Sequence, residues 1–194
     1  MKVGIVFHSV CGNTYLMARA FEKALTDLGH SVILSRVADP AWVEKQDVPD
    51  GARVVLREMQ EVSLASPDLL LDRDLVLMGS PTYFGNVSAQ MKTFMDSTGG
   101  LWVRGKLIGK TSAAFVSAGN AEGGGDLCLQ AIHTYARYMG MAVVPAPVSL
   151  VPGENWPALG VIQYSNGKYG ETLDPKVARA ITNFSAHLSR IGRG

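Results

Sequence analysis

Three short segments of this 194-residue chain carry residues suited to holding a small anionic ligand. The first is His8-Ser9-Val10-Cys11-Gly12-Asn13-Thr14, which sets hydroxyl and amide side chains around a glycine just before a stretch of helical spacing. Amides at a helix start are unpaired and carry partial positive charge, so such a loop wraps a phosphate without any lysine. The same residues also make an ordinary polar helix cap. The second, Gly79 to Asn86, places Tyr83 and Phe84 in a polar loop whose path is constrained by Pro81 and Gly85. Aromatics there line the faces of a planar ligand; the plainer reading folds Phe84 back into the core. The third, Ser117-Ala118-Gly119 through Asp126, has four glycines between 119 and 126. Glycines at that density let the backbone approach a ligand and present its amides, where the plainer reading is a flexible surface loop.

The elements around these segments decide whether they meet. Val3–Phe7 is a continuous apolar run, the pattern of a strand buried on both faces. Met17, Phe21, Ala24, Leu25 and Leu28 then recur at helical spacing, with Gly29 as the stop. Ser31–Val37 reads as a second strand, and residues 38–64 as an excursion of short irregular structure. Ser66-Pro67 opens a short helix ending near Asp72, and Leu75–Met78 is the third strand. A helix carrying Val87, Met91, Phe94 and Met95 stops at Gly99-Gly100, and Thr111–Ser117 is the fourth strand. A helix over 125–140, a fifth strand over 142–146 and a helix opening at Asp174-Pro175 complete the chain. His133 lies one residue off the apolar stripe of its helix and reads as a solvated surface histidine.

Strands alternating with helices specify an α/β domain with a five-stranded parallel sheet. At this size the expected fold is a flavodoxin-like three-layer sandwich with strand order 2-1-3-4-5. Ligands in such sheets sit beyond the carboxyl ends of the strands, at the switch point between strands 1 and 3. All three segments follow carboxyl ends, so they converge. A flat phosphorylated cofactor fits, and FMN is the candidate.

Composition narrows the class further. Apolar residues make up 47% and charged residues 18%, which excludes disorder as the overall state. Eighteen basic against seventeen acidic residues leave a net charge of +1, which argues against a nucleic-acid surface. No apolar run approaches the ~20 residues of a membrane span. The first apolar stretch breaks at His8, too early for a secretory signal, and Cys11 and Cys128 show no CxxC spacing. The expectation is a single cytoplasmic domain over residues 1–194. No G-x-G-x-x-G dinucleotide fingerprint is present, so a pyridine nucleotide would visit as a substrate.

Pro81-Thr-Tyr-Phe-Gly-Asn86, Gln90-Met-Lys92, Phe94-Met-Asp96 and Thr98-Gly-Gly-Leu-Trp102 closely resemble the flavodoxin-like NAD(P)H:quinone oxidoreductases of the tryptophan-repressor-binding-protein type. The likeness spans residues 3 to about 147 and is weak across 38–66 and 148–172. It implies FMN held by Ser9, Val10, Cys11, Gly12, Asn13 and Thr14 around the phosphate. It implies Pro81, Thr82, Tyr83, Phe84 and Gly85 along the isoalloxazine, and Ser117, Ala118 and Gly119 near the ribityl or pyrimidine side. Trp102 would line the pocket over the exposed flavin face, and Tyr83 and Trp102 are the candidates for stacking substrate. The implied activity passes two electrons from NAD(P)H to a quinone, in a homo-oligomer (dimer or tetramer) whose sites neighbouring subunits complete. Two departures stand out: the family usually has arginine where this chain has Tyr83, and a substrate-pocket histidine where it has Met139. The competing reading is a flavodoxin-type electron carrier without NAD(P)H oxidation of its own. Carriers of that kind are usually strongly acidic, and +1 speaks against it.

Overall fold

The computed structural model describes residues 1–41 and 48–191. β1 (Lys2–Phe7) is buried along all but its first residue, because Val3, Ile5 and Phe7 face one layer of helices and Val6 the other. It lies between β2 (Ser31–Arg36) and β3 (Leu75–Tyr83), parallel to both. β3 pairs with β5 (Thr111–Ala118), which pairs at its start with β6 (Ala142–Val143). The path β2-β1-β3-β5-β6 is the expected 2-1-3-4-5 order of a flavodoxin-like sheet. Phe7 aligns with Gly79, and Gly79 with Phe115, so the central strands end side by side and their loops leave from one edge.

Helices cover both faces. α1 (Asn13–Asp27) and α6 (Pro175–Ile191) pack on one, where Phe21 meets Phe115 and Phe184 at ring distances of 5.0 and 6.2 Å. α3 (Ala89–Ser97), the short α4 (Gly99–Val103) and α5 (Gly125–Tyr138) cover the other, with Met91, Phe94, Cys128 and Ile132 buried beneath them. Among the described residues no helix is long and apolar enough to cross a membrane.

The structure revises the expected elements in four places. The excursion over 38–64 contains a 12-residue helix, α2 (Asp50–Glu61), which buries Ala52, Val55, Leu56 and Met59. Its i, i+3, i+4, i+7 spacing outweighs Gly51, which sits in the first turn where the penalty is small. The part of that excursion at 42–47 lies outside the described residues. Gly99-Gly100 opens α4 instead of ending a helix outright. The fifth strand breaks after Val143: residues 144–160 leave the sheet, and β7 (Val161–Tyr164) takes up the same edge of β5 from Phe115 to Ala118. Finally, Gly79–Asn86 is not a loop throughout. β3 continues to Tyr83 and turns back as a hairpin onto β4 (Asn86–Val87), with Thr82 opposite Val87 and Tyr83 opposite Asn86.

Candidate functional site

The first segment turns from β1 into α1 through Gly12, which stands at φ 86. The amides of Ser9, Val10, Gly12, Asn13 and Thr14 donate to no acceptor among the described residues. Ser9 is 5% exposed and its Oγ has no partner. Buried donors left unpaired in this way are costly unless a ligand takes them, and a row of amides at a helix start favours an anion. The segment is held from the sheet side by a buried hydrogen bond between Thr14 Oγ1 and Ser117 Oγ at 2.8 Å.

A second grip comes from far along the chain. The turn after β7 begins with Ser165 N–H donating to the Ala118 carbonyl at 2.8 Å. Asn166 and Gly167 follow at φ 51 and 74, and Lys168 N–H closes the turn on the Ser165 carbonyl at 3.0 Å. Asn13 Nδ2 donates to the Lys168 carbonyl at 3.0 Å, and Gly170 N–H to the Cys11 carbonyl at 2.7 Å. Gly170 has no room for a side chain: a Cβ there would stand 2.7 Å from both Asn13 N and the Gly12 carbonyl carbon.

These loops enclose a cleft of about 250 Å³. Of the residues expected at a cofactor, Ser9, Val10, Cys11, Asn13, Thr14, Pro81, Thr82, Tyr83, Ser117, Ala118 and Gly119 line it. Ser165, Gly167 and Lys168 line it too. Motif spacing does not flag them, although Asn-Gly after an apolar run is a recognisable turn signal. Two larger clefts, of about 650 and 730 Å³, lie beside the 154–177 region, but none of the residues from 81–85 or 117–119 lines them. The smaller cleft is the one where all three strand-end segments meet.

Four expected residues lie outside that lining. Gly12 forms the turn itself, packed under Gly170. Phe84 neither folds into the core nor lines the cleft: it stands fully exposed at the hairpin tip, at φ 50. Gly85, at φ 72, packs its backbone against Gly124, where a Cβ on Gly124 would come within 2.8 Å of Gly85 Cα. That close approach joins the hairpin to the glycine-rich segment. Trp102, on α4, is 56% exposed and apart from the cleft within one chain. Met139 is buried, with Sδ 4.0 Å from Thr98 Oγ1, so this position belongs to the core.

Burial favours the neutral form of two histidines and a thiol nearby, and hydrogen bonds keep one carboxylate ionised. His133 corrects the solvated reading: it is 2% exposed, bonded through Nε2 to the Leu159 carbonyl, and burial lowers its pKa. The excursion at 144–160 supplies that carbonyl, which no spacing within α5 reveals. Burial also lowers His8, partly offset by Asp39 Oδ2 at 3.2 Å from Nε2. Burial would raise Asp39, but hydrogen bonds from Gln90 and His8 outweigh it and hold the carboxyl below its usual range. Burial pushes the Cys128 thiol up to about 12.

A parallel sheet in this order, with unpaired amides at the β1–α1 turn and an aromatic hairpin beside it, is the architecture of a flavodoxin-like flavoprotein. A sequence profile described as NADPH-dependent FMN reductase matches residues 1–155. Similar curated proteins include an "NAD(P)H dehydrogenase (quinone)" of Geotalea daltonii, 39% identical over 150 residues, covering 76% of this chain and 72% of that protein. Another of the same name, from Geobacter sulfurreducens, is 34% identical over 151 residues and covers 76% and 72%. A solved structure of a flavodoxin, WrbA-like protein from Agrobacterium tumefaciens superposes with a TM-score of 0.68 at 18% identity, covering 99% of this chain and 97% of that one. An archaeal flavodoxin gives 0.64 at 21% identity over the full length of both. The chain belongs to the NADPH-dependent FMN reductase family.

Proposed function

We propose that this protein is an FMN-dependent oxidoreductase that takes two electrons from NAD(P)H and passes them to a quinone or a similar acceptor. The observation that carries the reading is the set of unpaired amides of Ser9, Val10, Gly12, Asn13 and Thr14, with the orphaned Ser9 hydroxyl, opening on the same cleft as Tyr83. This donor set suits the phosphate of FMN. Bound FMN supplies the two-electron redox chemistry, so the chain needs no nucleophile of its own. Its residues bind and orient. Ser9, Val10, Cys11, Gly12, Asn13 and Thr14 hold the phosphate end. Pro81, Thr82 and Tyr83, with the Phe84-Gly85 tip beyond them, would border the ring, and Ser117, Ala118 and Gly119 the ribityl or pyrimidine side. Tyr83, 47% exposed at the mouth, offers a surface on which a nicotinamide or quinone stacks. The neutral Cys128 thiol and His133 leave proton exchange to solvent and substrate.

A second copy completes the site. Trp102 stands clear of its own cleft, and Val103 next to it, Ile108 in the turn after α4 and Tyr138 at the end of α5 are each more than two-thirds exposed. Exposed apolar groups of this size suit a subunit contact, and across such a contact Trp102 reaches a neighbour's flavin. The domain acts in the cytoplasm.

The test is a titration of the purified protein with FMN, followed by anaerobic addition of NADH and then NADPH. The expected result is a yellow protein that bleaches at a catalytic rate with at least one nucleotide and recovers its colour on adding benzoquinone. A flavin that stays oxidised with both nucleotides, yet accepts single electrons from a reductase, would replace this reading with the electron carrier.

A further inference from the structure

Fourteen of the described residues line the cleft, and among these only Lys168 is charged. It comes from the turn after β7, about 155 residues beyond the loop it faces; the separation from Asn13 is 155. Its backbone is fixed there by two hydrogen bonds, and a third follows at Gly170. Lys168 N–H closes the Ser165 turn at 3.0 Å, its carbonyl accepts from Asn13 Nδ2 at 3.0 Å, and Gly170 ties the next residues to Cys11 at 2.7 Å. The ammonium makes no salt bridge among the described residues. Lys168 is exposed and its backbone is anchored beside the first turn of α1, so its flexible four-carbon stem carries a positive charge at the rim of this cleft and of the neighbouring one, which Glu171 and Asp174 also line. The β1–α1 turn itself holds a nine-tenths buried hydroxyl, Ser9 Oγ, with no partner, so the same end of the cleft presents both an unmet hydrogen bond and an unmet charge.

We propose that Lys168 is the counter-charge of the bound cofactor's phosphate and sets the preference of the site for FMN over uncharged riboflavin. This rests on the FMN reading above and sharpens it. The backbone amides by themselves act through partial charges and hydrogen bonds. A dianionic phosphate held by them gains a full opposite charge only from Lys168, since no other lining residue carries one. The ring end of the cleft, bordered by Pro81, Thr82 and Tyr83, has no part in this discrimination, because both flavins share the ring.

The experiment titrates the flavin-stripped full-length protein with FMN and, separately, with riboflavin, following quenching of flavin fluorescence. In Lys168→Met the FMN Kd is expected to rise about tenfold while the riboflavin Kd stays at the wild-type value. Lys168→Arg is expected to keep most of the FMN affinity. The proposal is overturned if Lys168→Met leaves the ratio of the two Kd values unchanged, either because neither moves or because both weaken equally, as a purely structural turn would require. A wild-type protein that binds neither flavin overturns the FMN reading together with this one. A wild-type preference for FMN that survives in Lys168→Met overturns the role of Lys168 alone.

Discussion

Two tight turns frame the cleft, and both place consecutive residues at positive φ. At the phosphate end the pair is Asn166-Gly167, the residues this geometry favours. At the ring end it is Phe84-Gly85, where a bulky aromatic occupies a left-handed position that L side chains avoid at a cost of roughly 1–2 kcal/mol. The first turn is tied down through Asn13, Cys11 and Ala118. The second carries its aromatic fully into solvent. The contrast separates two tasks. On the proposed reading, the cofactor's phosphate end is gripped by backbone already closed by hydrogen bonds, and the face that exchanges substrates is left open and apolar.

The contrast breaks most severely at Gly170. In Gly170→Val the new side chain meets Asn13 N and the Gly12 carbonyl carbon, and relief by displacement of the turn is expected to weaken FMN binding by about 1–3 kcal/mol. Calorimetric titration with FMN measures this, with far-UV circular dichroism unchanged. Thr14→Val strips the buried Ser117 hydroxyl of its partner and is expected to lower folding stability by about 1–3 kcal/mol in urea unfolding.

Acid sharpens the comparison, because one buried histidine serves each end. His8 precedes the β1–α1 turn, and His133 lies on the buried face of α5, the helix whose start meets the hairpin. Both have folded pKa values below the ordinary 6.5. The unfolded chain therefore binds protons that the folded chain refuses. Stability is whole above about pH 6.5 and falls as the pH drops toward the folded values, by up to about 1.4 kcal/mol per pH unit for each histidine. Urea unfolding at pH 7.5 and 5.5 of wild type, His8→Asn and His133→Asn divides this slope between the two ends; an unchanged slope in both variants would locate the sensitivity elsewhere. The smallest expected effect is a gain. Phe84→Asn makes the hairpin tip match the other turn and is expected to raise stability by about 1 kcal/mol, with FMN affinity unchanged and quinone turnover slowed.

Much of this was legible in the residues. The apolar run Val3–Phe7, the polar loop behind it and the aromatic and glycine-rich segments after the next central strands all announce themselves locally, and the parallel order follows from their alternation with helices. Other parts were obscured for specific reasons. α2 hides behind Pro49 and Gly51, although Ala52, Val55, Leu56 and Met59 repeat at helical spacing. β7 is only four residues long and separated from β6 by the excursion at 144–160, so no run marks the two as one edge. Trp102 matches its motif in type and spacing, yet α4 holds it away from its own cleft.

Local periodicity and turn chemistry were enough to specify the strand order and the polar loop with its unpaired helix start, because a buried strand or an unpaired helix start is a property of neighbours in the chain. The partners brought across that loop were decided only by folding. Lys168 and Gly170 reach Asn13 and Cys11 because β7 docks on the end of β5, and nothing in the sequence near either partner encodes a contact made by the packing of the whole sheet.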